Sequence, residues 1–231
     1  MKELQEKLLN ILVAEGVAKV GFSYVGDLLP ERYKHLKSAV TVAIRLSQQI
    51  IDDIDINLGP THTYFHHYRT VNTFIDQTTL KTSNILENWG YLAMAVPASQ
   101  SINKDGWKYQ SLFPHRTAAT RSGIGWIGKN SSLVTEEFGP RIRLGTVLTN
   151  MEFDYHTPIV VSLCGKCDIC VKACPANALV GGLWKAGMNR EKLLDPHACS
   201  QHMHKAYQHI GRGAVCGICI KACPKGVRIK G

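Results

Sequence analysis

The sequence has 231 residues, 45% of them hydrophobic and 19% charged, with a formal net charge of +9. That length holds one sizeable core plus a smaller module, and the composition excludes a disordered chain. No apolar run approaches the roughly 20 residues of a membrane-spanning helix, so no membrane partner is expected.

In chain order, MKELQEKLLNILVAEG places Leu4, Leu8, Ile11 and Leu12 on one face of a helix stopped by Gly16. It has neither a secretory apolar core nor a twin-arginine pair, which predicts a cytoplasmic protein. VAKVGFSYV (Val17 to Val25) and AVTVAIRL (Ala39 to Leu46) have the β-branched and aromatic content of strands. Tyr64, Tyr68, Val71, Ile75, Ile85 and Trp89 follow helical spacing and predict one long helix from His62 to Trp89. YLAMAVPAS reads as a buried strand stopped at Pro97. Arg116 to Ser122 reads as a short helix, with strands at Ser131 to Thr135 and Leu144 to Leu148. Tyr155 to Pro158 reads as the join between two modules, since proline restricts the residue before it.

All eight cysteines lie beyond that join. Cys164, Cys167, Cys170 and Cys174-Pro175 form C-x2-C-x2-C-x3-C-P, the bacterial ferredoxin run. Its first three thiolates wrap three corners of one cubane and the fourth serves the other cluster. A second run, Cys216, Cys219 and Cys223-Pro224, lacks its front cysteine, and Cys199 is the one left to fill that corner. The expected ligand sets are therefore Cys164, Cys167, Cys170 and Cys223 for cluster one, and Cys174, Cys199, Cys216 and Cys219 for cluster two. Disulfides need an oxidising compartment, and four-cysteine zinc sites are not typically built on this triple run. DICVKACP (Asp168 to Pro175) and GICIKACP (Gly217 to Pro224) match at six of eight positions, which predicts a pseudo-symmetric module. His197, His202, His204 and His209 read as a surface helix beside the cluster, because eight thiolates already supply eight corners. Two such [4Fe–4S] clusters subtract roughly four charges, leaving a moderately basic protein that suits an acidic redox partner or RNA.

GIGWIG (Gly123 to Gly128) fits G-x-G-x-x-G, the dinucleotide fingerprint. A pyrophosphate site needs a strand entering and a helix leaving. Here polar RTAATRS precedes the glycines and KNSSLVT follows, so the order is helix, loop, strand. The loop reads instead as a tight turn or as backbone approached closely by a different flat cofactor.

RSGIGWIGKNSSLVTEEFGPRIRLGTVLTN (Arg121 to Asn150), followed by the double-cluster run, resembles the cobalamin-dependent iron–sulfur superfamily of epoxyqueuosine reductases and reductive dehalogenases. The resemblance covers most of the chain and is loose over residues 1 to 60. It implies an α+β architecture: a nitroreductase-like α/β domain (1–157) binding base-off cobalamin, then a ferredoxin-like double [4Fe–4S] module (158–231). It further implies that Gly123, Ile124, Gly125, Trp126, Ile127, Gly128, Lys129 and Asn130 lie against the corrin, with Arg141 and Arg143 close by. Asp154-Tyr155-His156 begins a D-x-H-x-x-G cobalt-ligand motif, but Ile159 replaces its glycine, which agrees with base-off binding.

The family's aspartate proton donor sits in a D-S-A-P-like segment; here that segment reads KYQSLFPHRTAAT, without a carboxylate. A gapless count places Tyr109 near the aspartate's position, and aligning the prolines gives Ser111. Tyr109 and His115 are the candidate catalytic residues, with Tyr64, Tyr68, His66 and His67 as further groups that could face the site. The chain ends a few residues after Cys223, without the helical-repeat extension that helps many epoxyqueuosine reductases grip tRNA. The implied function is a reductase whose clusters reduce Co(II) to Co(I) for a reaction like epoxyqueuosine reduction in tRNA. A ferredoxin or flavodoxin would donate the electrons. The alternative is an activating protein that reduces the corrinoid of a partner protein without substrate chemistry of its own.

Overall fold

The computed structural model describes residues 2–102, 106, 109–211 and 215–227. Its elements are α1 (Lys2–Ala14), β1 (Lys19–Tyr24), β2 (Ser38–Arg45), α2 (Gln48–Asp52), α3 (His62–Asn88), β3 (Ala93–Val96) and α4 (His115–Arg121). There follow β4 (Trp126–Ile127), β5 (Leu133–Val134), β6 (Ile142–Thr149), α5 (Ile169–Lys172), α6 (Pro196–Tyr207) and α7 (Ile218–Lys221). The chain divides into two compact units: Met1–Arg45, Val71–Ile124 and Arg143–Ile159 in the first, and Leu46–Thr70, Gly125–Ile142 and Val160–Gly231 in the second. The last crossing lies beside Pro158, but Leu46–Thr70 and Gly125–Ile142 also belong to the cysteine-bearing unit. Among the described residues no helix is long and apolar enough to cross a membrane.

The first unit is built on a four-stranded sheet ordered β1-β2-β6-β3, with β1 and β2 antiparallel and β3 antiparallel to β6. Seven of the eight β2 residues are buried, as expected of a central strand rich in valine and alanine. Helix α1 seals the sheet with Leu8 and Leu12, and Phe22 stacks on Phe153 at 4.6 Å. The stretch of α3 from Val71 to Asn88 buries Thr78, Thr79, Thr82 and Ser83 as well as Ile75 and Leu86. Those four hydroxyls bond back to carbonyls one turn earlier, so the polar face needs no water. Strand β3 is only half-buried because it is the sheet edge, where a continuous buried run was expected.

The second unit has little regular structure. Helices α5 and α7 have four residues each and pack together, with α6 alongside in sequence as the one longer element of the cysteine region. Leu46–Thr70 contributes Tyr64, whose ring packs against Tyr68 with centroids 6.4 Å apart, and Lys221 Nζ donates to the Asp52 carbonyl at 2.7 Å.

Candidate functional site

The two cysteine runs fold as the same small unit. Cys170 rides on α5 (ICVK) and Cys219 on α7 (ICIK), each at the second position of its helix. The repeats differ at the residue before the helix for a backbone reason. Asp168 has φ −134°, whereas Gly217 has φ +79° and any Cβ there would meet the Tyr64 ring at 2.7 Å. The segment ahead of α5 turns tightly, with the Cys167 amide donating to the Cys164 carbonyl at 3.1 Å. Helix α6 brings in Cys199. Its N-cap, Asp195, accepts from the His197 and Ala198 amides at 2.9 and 3.0 Å, and Pro196 fills the first turn.

A cavity of about 330 Å³ opens between these pieces, lined by Cys164, Cys167, Cys170 and Cys223 together with Leu163 and Pro224. Trp126, Lys129, Asn130, Val134 and Lys225 complete its wall. The other four thiols form a second neighbourhood. Burial raises the Cys199 pKa, and the nearby Cys174 adds to it; burial also raises Cys216 to about 11, with Cys199 and Cys174 contributing. In the first neighbourhood burial lifts Cys170 to about 11, assisted by Cys223, Cys164 and Cys167. Cys164, Cys167, Cys170 and Cys223 thus line one cavity, and Cys174 acts on Cys199 and both act on Cys216, while burial, then Cys216 and Cys199 and also Cys170, raises Cys219. Among the described residues no three of His, Cys, Asp or Glu converge closely enough to hold one ion; the cysteines surround a volume, not a point. Crowded, buried thiols resist ionisation until a cationic group enters, and four thiols around a volume are the donor set of an iron–sulfur cubane.

The glycine loop runs helix (α4), loop, strand (β4), so the order expected from the flanks is the order found. β4 was missed in the sequence; it pairs with β5, Trp126 opposite Val134 and Ile127 opposite Leu133. Between them the Gly128 amide donates to the Ser132 carbonyl at 2.9 Å, and Asn130 Oδ1 accepts from the Ser132 amide at 3.0 Å. The glycines serve protein neighbours. Gly123 has φ +70° and a Cβ there would lie 2.8 Å from the Thr157 carbonyl. A Cβ on Gly125 would lie 2.2 Å from the Val134 carbonyl, and one on Gly128 would lie 2.7 Å from the Val134 side chain. Gly125→Ala is therefore expected to cost about 3 kcal/mol through overpacking of the hairpin. Thermal unfolding checks this, and an unchanged Tm would show that the hairpin relaxes freely.

The remaining expected cofactor contacts are placed as follows. Ile124 and Ile127 are buried. Arg141, 2% exposed, donates to the carbonyls of Lys221 (3.3 Å), Cys223 (3.2 Å) and Lys225 (2.7 Å). Burial lowers its pKa, against which Cys223 and then Asp52 act. Arg143 is half-buried and forks onto Asn72 Oδ1 at 2.7 and 3.0 Å. Two buried wall groups, the Trp126 indole Nε1 and the Asn130 amide Nδ2, have no hydrogen-bond partner among the described residues.

Of the candidate proton donors, His115 has both ring nitrogens engaged: Nδ1 with Thr146 Oγ1 at 2.8 Å and Nε2 with the Pro97 carbonyl at 3.0 Å. A carbonyl only accepts, so Nε2 carries the proton and Nδ1 accepts from the threonine hydroxyl. Burial lowers the His115 pKa, with the Pro97 hydrogen bond opposing, and favours this neutral ring. Tyr109 is half-buried and sits at φ +50°, an uncommon backbone region for a bulky residue. Ser111 is spent on the Phe113 carbonyl. Tyr64 is buried, His66 is exposed and His67 Nε2 accepts from the Ser47 amide. His197, His204 and His209 are exposed on or just past α6, and His202 stacks edge-on against Tyr207. Tyr207 itself went unnoticed in the sequence. Its hydroxyl lies 3.4 Å from His202 Nε2, and burial, then the Cys216 thiol, raises its pKa. Seven residues of helix separate it from Cys199, and no local motif marks it.

Comparison with known proteins fits this geometry. Residues 163–226 match the family described as a 4Fe-4S double cluster binding domain. Over 85 residues the chain is 41% identical to an epoxyqueuosine reductase of Listeria monocytogenes, a stretch covering 37% of this chain and 20% of that protein. An epoxyqueuosine reductase solved with an epoxyqueuosine-modified tRNA-Tyr stem loop shares the fold with a TM-score of 0.62 at 19% identity, over 97% of this chain and 65% of that one. A reductive dehalogenase whose structure suggests a mechanism for B12-dependent dehalogenation shares it with a TM-score of 0.62 at 18% identity, over 90% of this chain and 30% of that one. The chain therefore spans less than two thirds of each of these proteins.

Proposed function

We propose that this chain, a member of the iron–sulfur superfamily of the epoxyqueuosine reductases and reductive dehalogenases, is a cobalamin-binding two-cluster reductase. The observation that carries the reading is the pairing of two four-thiol neighbourhoods with the fold those enzymes share. When bound, the clusters supply single electrons and cobalamin supplies a cobalt centre reducible from Co(II) to Co(I). The cobalamin part rests on the fold and on the named B12 dependence of the dehalogenase, since the loop glycines are taken up by the hairpin.

The chain's own residues divide the work. Cys164, Cys167, Cys170 and Cys223 hold one cluster as thiolates, and Cys174, Cys199, Cys216 and Cys219 the other. Cys167 is exposed, which offers a reduced ferredoxin or flavodoxin a short path to the first set. Tyr109 is the residue we assign to proton delivery, because its phenol is a donor and both His115 ring nitrogens are already hydrogen-bonded. The substrate class that the nearest chemistry suggests is an epoxide-bearing nucleoside in tRNA.

A second reading is favoured by the segment ahead of α4. The stretch KYQSLFPHRTAAT (108–120) contains no carboxylate, and its His115 is locked to Pro97 and Thr146. A protein that reduces the corrinoid of a partner needs neither a proton donor nor a substrate pocket. The test begins with cob(II)alamin added anaerobically to the cluster-loaded chain. A base-off cobalt EPR signal is expected, and an unchanged free-cobalamin spectrum would sink the cobalamin assignment. Turnover of epoxyqueuosine-containing tRNA then supports the reductase; cobalamin binding without turnover selects the activator.

A further inference from the structure

Trp126, Lys129 and Asn130 were tied by resemblance to the corrin, yet all three line the cavity of the first cysteine set. They are 2%, 8% and 5% exposed. The indole Nε1–H and the amide Nδ2 find no acceptor among the described residues. A buried donor left unsatisfied costs roughly 1–3 kcal/mol, so a donor kept in such a place implies an acceptor supplied by a bound group. Sulfides and thiolate sulfurs are such acceptors, and hydrogen bonds to them are one of the levers that set a cluster's potential.

The charges around the two sets also differ in balance, since Asp168 beside Cys167 is paired with Lys172 at 3.1 Å. The first has the Lys129 ammonium in its wall and the Arg141 guanidinium on the Cys223 carbonyl. The second has the Asp195 carboxylate, which caps the helix bearing Cys199 and acts on that thiol. Reduction adds one negative charge to a cluster. Cations and N–H donors stabilise that charge, and an anion opposes it.

We infer that Trp126, Lys129 and Asn130 hold the potential of the first cluster above that of the second. An electron shared by the pair rests on the cluster bound by Cys164, Cys167, Cys170 and Cys223. These residues act through hydrogen bonds and charge and do not ligate iron. The inference rests on the double-cluster module alone and stands whether or not cobalamin binds.

EPR-monitored redox titration of the full chain, anaerobically loaded to about eight irons (two clusters of four), tests it. Cys167→Ala identifies the first cluster as the midpoint that disappears, and this is expected to be the higher one. Trp126→Phe keeps the ring and removes the donor. Asn130→Asp keeps the Oδ1 acceptor for Ser132 and replaces the donor with a negative charge. Lys129→Gln removes the cation. Each is expected to lower the first midpoint, shifting its reduction equilibrium by about tenfold, or about 59 mV for one electron. Asp195→Asn, which still caps the helix, is expected to raise the second midpoint and narrow the gap. If Asn130→Asp fails to load, Trp126→Phe and Lys129→Gln decide. Unmoved midpoints in those two overturn the inference, as does a first-cluster midpoint below the second.

Discussion

Replacing Cys199 with alanine is expected to strip about four of the eight irons from the loaded protein, or to leave one cubane as a three-iron cluster. The two cysteine runs contain seven of the eight thiols, and Cys199 stands alone between them on α6. After burial, Cys174 is the thiol that raises its pKa, and it in turn raises Cys216 and Cys219, the latter also raised by Cys170. The loss should therefore fall on one cluster and spare the set around Cys164. Structure should follow iron. The unit that holds the cysteines has two helices of only four residues each, and it leaves Val160, Val161, Leu163 and Val180 more than half exposed. So little packed core makes metal binding a large part of its folding free energy. Hydrogen exchange over 160–211 should rise in Cys199→Ala, with the β1-β2-β6-β3 sheet unaffected. An iron content of eight in this variant refutes the ligand set, and unchanged protection refutes the coupling to folding.

Arg141→Met is expected to destabilise the loaded protein by about 3–4 kcal/mol and to loosen the first cluster. The guanidinium is buried and donates to three carbonyls around the Cys223-Pro224 turn, including that of a proposed ligand. Charge-assisted hydrogen bonds contribute roughly 1.5–3 kcal/mol each, but bonds sharing one donor group do not add. Methionine fills much of the volume and leaves the carbonyls unpaired. Arg141→Lys keeps the charge without the planar fork, so it should recover about half of the loss. Denaturant midpoints and iron retention under a chelator measure both effects. A midpoint within about 1 kcal/mol of the parent would mean that water replaces the guanidinium, and the staple would be discarded.

Much of the fold was legible along the chain. Helix α1 and the long α3 announced themselves through 3.6-residue spacing, and β1, β2 and β6 through their branched residues. What went unread was short or lay at an edge. β4 is two residues long, too short for any period, and exists because Val134 and Leu133 pair with it. β3 reads as a buried strand by composition, yet its place at the sheet edge leaves it half-buried. The cysteine-bearing unit was expected to begin near residue 158, and Leu46–Thr70 and Gly125–Ile142 are also part of it. No local composition marks those segments, because what draws them in is contact with residues 80 or more positions away, such as Arg141 with Lys221 to Lys225.

By itself the sequence pointed to a double-cluster cysteine module, which the family match over residues 163–226 bears out, and the two sets of four with an exchanged fourth ligand are what its spacing predicts. Those features depend on spacings of two or three residues, which turns and single helical turns enforce locally. It also determined that GIGWIG is no dinucleotide loop, since the order of flanking elements is local too. Only the tertiary structure decided what GIGWIG and GPRIRLG do. Trp126, Lys129, Asn130 and Arg141 meet the first cysteine set because a hairpin and a buried guanidinium carry them there, and sequence distance hides such meetings. A side chain's partner is set by what fills the space around it, and that space exists only once the chain has folded.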